Sequence, residues 1–238
     1  MKAFFNGRTD TGRYRDHNED AFQLVPALGI AVLADGMGGH NAGEVASELA
    51  ISTTLTILEQ TAGLSARDRL ETAIQAAHAN VLEKAAESSR YKGMGTTIVA
   101  VLLEKNTLTV AHVGDSRLYL LRKGKLSSLT NDHSLLQEFI DKGLYSPQEA
   151  KEKVARNILT RAIGLESTLS VDIAEHGVQT GDRYLICSDG LYEMVSDADI
   201  ADVLNSSLRG DALCEELIDH ANARGGKDNI TVVIIDTV

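Results

Sequence analysis

Cysteine is nearly absent from this chain: among 238 residues only Cys187 and Cys214 carry thiols. Two cysteines in so long a chain make no disulfide framework and no Cys-x-x-Cys metal site, and they fit a reducing cytoplasm. Proline is equally scarce, at Pro26 and Pro147 alone. No Pro/Ser-rich linker, low-complexity stretch or fixed-period repeat interrupts the sequence, so one domain over 1–238 is the simplest organisation. Long hydrophobic runs are missing too. Ile30-Ala-Val-Leu-Ala34 and Ile230-Thr-Val-Val-Ile-Ile235 have strand length, far short of the roughly 18 apolar residues a membrane helix needs. The opening MKAFFNGRTD turns polar too soon for a secretory signal. Cations are outnumbered, with 23 Lys and Arg against 34 Asp and Glu, for a net charge of −11. That balance disfavours nucleic acid, whose binders cluster Lys and Arg. It also sits awkwardly with a phosphorylated ligand unless metal ions neutralise part of the acid. The question is whether the acids are scattered over a solvated surface or placed.

What is present is a series of short apolar runs. Those of β type fall at 21–25, 29–34, 97–103, 108–113, 118–122, 171–173, 184–187 and 230–235. Residues 42–59 have helical period, with Val45, Leu49 and Ser52 on one side. Over 65–87, Leu70, Ile74, Ala77 and Val81 recur at helical spacing, and 211–223 carries Leu213, Leu217 and Ala221 in the same way. Strands cluster before and after helices instead of alternating with them, which favours an α+β sandwich over a doubly wound sheet. Residues 131–160 are polar and weakly periodic, and read as helical turns in a surface excursion.

Four aspartates stand where an apolar run meets a turn. Asp35 follows Ile30-Ala-Val-Leu-Ala34, Asp115 follows Thr109-Val-Ala-His-Val-Gly114, and Asp189 follows Tyr184-Leu-Ile-Cys-Ser188. Asp228 precedes the last run, in Gly225-Gly-Lys-Asp-Asn229. If the last strand is antiparallel to the others, all four acids meet at one edge of the sheet. A further pair, Glu19-Asp20, opens another apolar run. Any one aspartate has the simpler explanation that Asp favours turns, where it bonds nearby amides. Several crowded into one cleft repel one another and need cations or protons. Oxygen-only ligands select hard ions such as Mg²⁺ and Mn²⁺, and a pair of such ions serves in-line phosphoryl displacement. Gly36, following Asp35, leaves its carbonyl free to approach an ion closely.

In order along the chain stand Gly12-Arg-Tyr-Arg-Asp-His-Asn-Glu-Asp20, Asp35-Gly-Met-Gly-Gly-His40 with Gly43-Glu44, Gly95-Thr-Thr97, Gly114-Asp-Ser-Arg117, Asp132-His-Ser134, Ser188-Asp-Gly190 and Asp228-Asn-Ile-Thr231. In these seven motifs the chain resembles the metal-dependent protein phosphatases of the type 2C class, specifically the small bacterial members. The resemblance implies a four-layer α-β-β-α sandwich of two mainly antiparallel sheets flanked by helices, with two to three Mn²⁺ or Mg²⁺ ions at one edge. It implies hydrolysis of phosphoserine and phosphothreonine by a metal-bridging hydroxide, without a phospho-enzyme. Asp35 would bridge two ions, with the Gly36 carbonyl on one of them; Asp189 and Asp228 would hold the first ion. Glu19 or Asp20 would hold the second, directly or through water, and Asp115 with Asp189 a third. Arg15 would grip the substrate phosphate, against the plainer role of a surface ion pair with Asp16 or Asp20. His40 is a candidate general acid toward the leaving alkoxide, or a group that orients water near the metal. Residues 131–160 take the place of the family's flap. Phosphoproteins modified by a Ser/Thr kinase are the implied substrates of a cytoplasmic monomer that binds neither nucleic acid nor membrane.

Other chemistries fit less well. Gly38–Gly43 has P-loop spacing, yet Glu44 stands where lysine is needed. Ile186 breaks a Gly-x-Ser-x-Gly elbow. Cys187 has no arginine six residues on and reads as a small core residue. Asp197-Ala-Asp199 reads as favourable charge opening a helix, and His112, inside a strand pattern, as a packed or edge residue. Two rival functions remain: a non-catalytic interaction module of the same fold, and a hydrolase of small phosphate esters.

Overall fold

The computed structural model describes residues 2–38, 42–155 and 158–238. In chain order its elements are β1 (Ala3–Asp10), β2 (Asp20–Val25), β3 (Ile30–Met37), α1 (Ala42–Gln60), α2 (Ala66–Glu87), β4 (Gly95–Thr96), β5 (Ile98–Glu104), β6 (Thr107–Val113), β7 (Arg117–Arg122) and β8 (Lys125–Ser128). There follow α3 (Leu135–Asp141), α4 (Pro147–Lys153), β9 (Asp172–Gly177), β10 (Arg183–Cys187), α5 (Asp189–Tyr192), α6 (Asp197–Asn205), α7 (Asp211–Ala223) and β11 (Ile230–Thr237). One sheet has the order β1-β11-β10-β7-β8; the other runs β2-β3-β5-β6-β9, with β4 paired to β3. The strand pairings are antiparallel.

The apolar runs at 29–34, 97–103, 108–113, 118–122, 184–187 and 230–235 become the inner strands, while those at 21–25 and 171–173 fall at the edge strands β2 and β9; the inner runs lack polar alternation because they are covered on both faces. Successive residues of a strand point to opposite sides. On β3, Ile30, Val32 and Ala34 join Ala46, Ala50, Leu70 and Ile74 under the first helix pair. The residues between them, Ala31 and Leu33, meet Tyr184, Ile186, Val233 and Ile235 between the sheets. On β11, Val232 and Ile234 turn outward to Leu213 and Leu217 of α7. Three apolar layers therefore hold four structural ones, helices, sheet, sheet and helices. Full burial of each Val, Leu or Ile stabilises by about 1.5–3 kcal/mol.

Local signals set the helix starts. Ser65 caps α2 by accepting from the Asp68 N–H, and its hydroxyl donates to the Asp68 carboxylate. Ser146 opens α4 in a capping box with Glu149, with Pro147 in the first turn. The stretch from 131 to 160 contains α3 and α4, tied at its root by a bridge between Ser134 and Leu159. There the Leu135 N–H donates to the Ile158 carbonyl, and that of Thr160 to His133, both at 2.8 Å. Asp197 and Asp199 lie in the first turn of α6, as expected. Strand β1, which no apolar run announces, pairs with β11 over its full length as an edge strand. Its Gly7 is required by close approach, since a Cβ there would lie 2.5 Å from the Phe22 ring. Among the described residues no helix is long and apolar enough to cross a membrane.

Candidate functional site

Strand direction delivers the acids to one place. Because β10 and β11 pair antiparallel, with Cys187 opposite Val232, the end of one strand and the start of the other coincide. Asp189 and Asp228 thus share an edge of the sandwich. On the second sheet β3 runs two residues past Asp35, because Gly36 and Met37 pair with Thr96 and Gly95. Asp35 is locked there by its backbone: its N–H donates to Thr97 Oγ1 at 3.0 Å. Its carbonyl accepts from Thr96 Oγ1 and from the Thr97 N–H, each at 2.8 Å. A cleft of about 460 Å³ results, whose lining includes Arg15, Glu19, Asp35, Gly36, Asp115, Asp189 and Asp228.

Asp20 lies behind that lining, 8% exposed. Its Oδ2 accepts from Ser188 Oγ and Thr231 Oγ1, each at 2.7 Å. Burial pushes its carboxyl up to about 6 despite these bonds. Asp115, also buried, is pushed up to about 7 by burial and by the charge of Asp132. Asp35 is driven well above the carboxylate range by burial and then by Asp20, Asp189, Asp115 and Asp228. Asp189 is driven there by burial and then by Asp115 and Asp228. Burial also raises Glu19. Two carboxylate oxygens in this group, Asp20 Oδ1 and Asp189 Oδ1, are buried with no hydrogen-bond partner. Among the described residues the cation lining the cleft is Arg15, whose Nη2 holds Asp228 Oδ2 at 2.7 Å, not Asp16 or Asp20.

The loops around the acids are packed to the limit of backbone contact. A Cβ on Gly36 would come within 2.2 Å of the Gly43 carbonyl oxygen, and one on Gly190 within 2.0 Å of the Asn229 oxygen. Asn229, to which sequence reading attached no role, staples the segment bearing Arg15 and Glu19. Its Oδ1 accepts from the Glu19 N–H at 2.8 Å, and its amide donates to the Thr11 and His17 carbonyls. Ser188, Thr231 and Thr97 are likewise supports for the acids. Their only signal in the sequence is their position inside the same short motifs. His40 lies outside the described residues.

A second cluster of potential ligands lies away from this cleft. His112, His133 and Asp172 bring donor atoms within 4.8 Å of one another, and the two rings stack at 4.6 Å. Hydrogen bonding argues against a metal there. His133 Nδ1 accepts from the Gly114 N–H, so the neutral ring carries its proton on Nε2, the atom facing Asp172 at 3.3 Å. A ligating imidazole normally donates through its other nitrogen. Arg161, 2.6 Å from the Asp172 carboxylate, already neutralises it. His112 is a packed residue, 6% exposed.

An α-β-β-α sandwich with acids from both sheets gathered at one edge is a phosphatase architecture, and the comparisons with known proteins agree. The protein phosphatase 2C family model matches residues 8–230. The chain is 40% identical over 236 residues to the serine/threonine phosphatase Stp of Listeria welshimeri, covering 96% of this chain and 94% of that one. The crystal structure of the Mycobacterium tuberculosis serine/threonine phosphatase PstP superposes with a TM-score of 0.92 at 37% identity, covering 100% and 99% of the two chains. The catalytic domain of PstP in complex with two manganese ions gives 0.90 at 36% identity, covering 99% and 98%. The chain belongs to the protein phosphatase 2C family.

Proposed function

We propose that this protein is a metal-dependent phosphatase that removes phosphate from phosphoserine and phosphothreonine in proteins modified by a Ser/Thr kinase. The observation that carries the reading is the cleft itself: Glu19, Asp35, Asp115, Asp189 and Asp228 line one space. Uncompensated carboxylates at that density call for cations, and the unpartnered Asp189 Oδ1 offers an oxygen ligand. The donor set is all oxygen, as Mn²⁺ and Mg²⁺ require.

Asp35, with Asp189 and Asp228, would hold the first ion, and the Gly36 carbonyl would serve one of the two ions that Asp35 holds. Asp35 with Glu19, on the cleft wall, is assigned to the second, while Asp20 acts from behind. Asp115 and Asp189 are assigned to a third. Bound there, such ions supply charge neutralisation and a water activated at neutral pH. Arg15, half-exposed at the cleft mouth, binds the substrate phosphate with its guanidinium fork. His40 is assigned the proton delivered to the leaving alkoxide. No phospho-enzyme is required. Cys187 is buried in the core, and burial pushes its thiol up. Thr97, the hydroxyl on the cleft, is committed to the Asp35 N–H and to Ser116 Oγ. Residues 131–160 serve as a flap beside the cleft, within a single domain that works as a cytoplasmic monomer.

The test is hydrolysis of p-nitrophenyl phosphate and a phosphothreonine peptide during Mn²⁺ and Mg²⁺ titration, with an EDTA control. Metal-dependent release from both supports the reading. Release from neither, by folded protein, makes the chain a non-catalytic binding module; release from the small ester alone makes it a small-ester hydrolase.

A further inference from the structure

The cleft is not lined by acids alone. Ile158, Leu159 and Leu165 share its lining with Asp35, Asp189 and Asp228. Ile158 and Leu165 are each 45% exposed, two of the few large apolar side chains so open to solvent among the described residues. A lone exposed aliphatic residue needs no explanation. Two in one cleft, on a segment fixed at both ends, do.

The fixing is explicit. The Ile158 carbonyl accepts from the Leu135 N–H, and Leu159 bridges Ser134. Five residues on, Ile163 exchanges both backbone bonds with Thr96, at 2.9 and 3.1 Å. Gly164 then turns with φ +85°, its N–H donating to Nδ1 of buried His78 at 3.1 Å. A Cβ there would strike Val81 at 2.3 Å, so the turn requires glycine. Leu165 is thereby laid over Gly95, its Cγ 3.0 Å from where a Cβ on that glycine would sit. Thr96, which pins this segment, also bonds the Asp35 carbonyl. The apolar patch and the acid at the centre of the cleft therefore hang on one support and keep a fixed separation.

We propose that the cleft selects phosphoproteins bearing a large apolar side chain within two residues of the phosphorylated serine or threonine, seated against Ile158 and Leu165. The inference rests on the phosphatase reading above and adds its substrate class. At about 3.3 Å per residue of extended chain, only side chains within about two residues of the phosphate share the cleft with it. The phosphate is drawn to the Arg15 guanidinium while the adjoining side chain covers the apolar part of the lining. An acidic neighbour gains no contact from the apolar part of the lining.

The experiment compares phosphothreonine peptides carrying leucine or serine at each position within two residues of the phosphorylated one, at saturating Mn²⁺. The quantity read is the leucine-to-serine ratio of kcat/KM within each enzyme, so partial loss of active protein cancels. In wild type the ratio is expected to reach about 10 at one position or more, the scale of one apolar contact in a pocket. In Leu165→Ser and in Ile158→Ser it is expected to fall below about 2, with Leu165→Met restoring most of it. A ratio below about 2 at every position in wild type, or one that survives both serine variants, overturns the proposal. Wild-type turnover of p-nitrophenyl phosphate separates two failures. With that activity present and no leucine preference, only the selectivity is wrong. With it absent, the phosphatase reading falls and the selectivity falls with it.

Discussion

Asp20 and Asp35 are register partners across the β2–β3 pair, and after burial the charge of Asp20 is the foremost influence raising the Asp35 carboxyl. Carboxylates crowded in that way take up a proton unless a cation takes its place. The metal-free site is therefore a proton store, and the pH response of the protein follows from it.

Asp20 at about 6, Asp115 at about 7, and Asp35 and Asp189 higher still all lie above the ordinary value of 3.8. A carboxyl raised in this way stabilises the fold fully below its unfolded value, and that contribution is lost as pH rises through the folded value. Burial lowers His78, His112 and His133 from 6.5, the last to about 4. Their contribution is complete above 6.5 and fades below it. Above pH 6.5 these histidines add no slope, and the cluster of acids dominates. The melting temperature of EDTA-stripped protein is expected to fall from pH 6.5 to about 8, and saturating Mn²⁺ to abolish the fall. A level profile without metal contradicts the crowding of these acids.

Asp189→Ala removes a side chain assigned to two of the ions. Turnover of p-nitrophenyl phosphate is expected to drop on the order of a thousandfold. Calorimetric titration should show weaker Mn²⁺ binding. Unimpaired binding alongside lost turnover would take Asp189 out of the ligand set.

For Arg15→Ala the effect is expected in KM for a phosphothreonine peptide, raised about tenfold, with kcat changed much less. The same substitution frees Asp228 from its ion pair, so Mn²⁺ affinity should not weaken. An unchanged KM refutes phosphate binding by Arg15.

Gly190→Ala is a steric test. Its Cβ would sit 2.0 Å from a backbone oxygen of Asn229, which has no rotamer by which to withdraw. Urea unfolding is expected to show a loss of about 1–3 kcal/mol or more. Manganese affinity should fall as well, because Asp189 and Asp228 adjoin the two residues forced apart. Gly63 is the control, since a Cβ there would meet nothing within 4 Å. Gly63→Ala should stay within about 0.5 kcal/mol of wild type.

The inner strands and the edge-gathered acids were legible because both leave local marks: unbroken apolar runs where both faces are covered, three of them followed by an aspartate and one preceded by Asp228. Strand β1 left none. Asn6, Gly7 and Arg8 interrupt its pattern, and its pairing depends wholly on β11, more than 200 residues away. Nor could sequence separate Glu19 from Asp20. Asp20 opens β2 opposite Asp35 and is buried, while Glu19 precedes the strand and lines the cleft. Glu19 opens to the cleft, and Asp20 turns to Ser188, 168 residues along the chain. The excursion at 131–160 reads as helical turns without a clear period because its helices are only seven residues each. They are too short to show a period and are defined by serine caps.

The bonds from Asp20 to Ser188 and Thr231 run from one sheet to the other. The cleft draws Glu19 and Asp35 from the first sheet and Asp189 and Asp228 from the second. Neither half of the sandwich carries all the acids of the cleft, so under the proposed assignment a refolding chain would acquire its ions only when the halves close on each other. Metal uptake would then be the clock of that closing step, and the bound ions rivets through the joint.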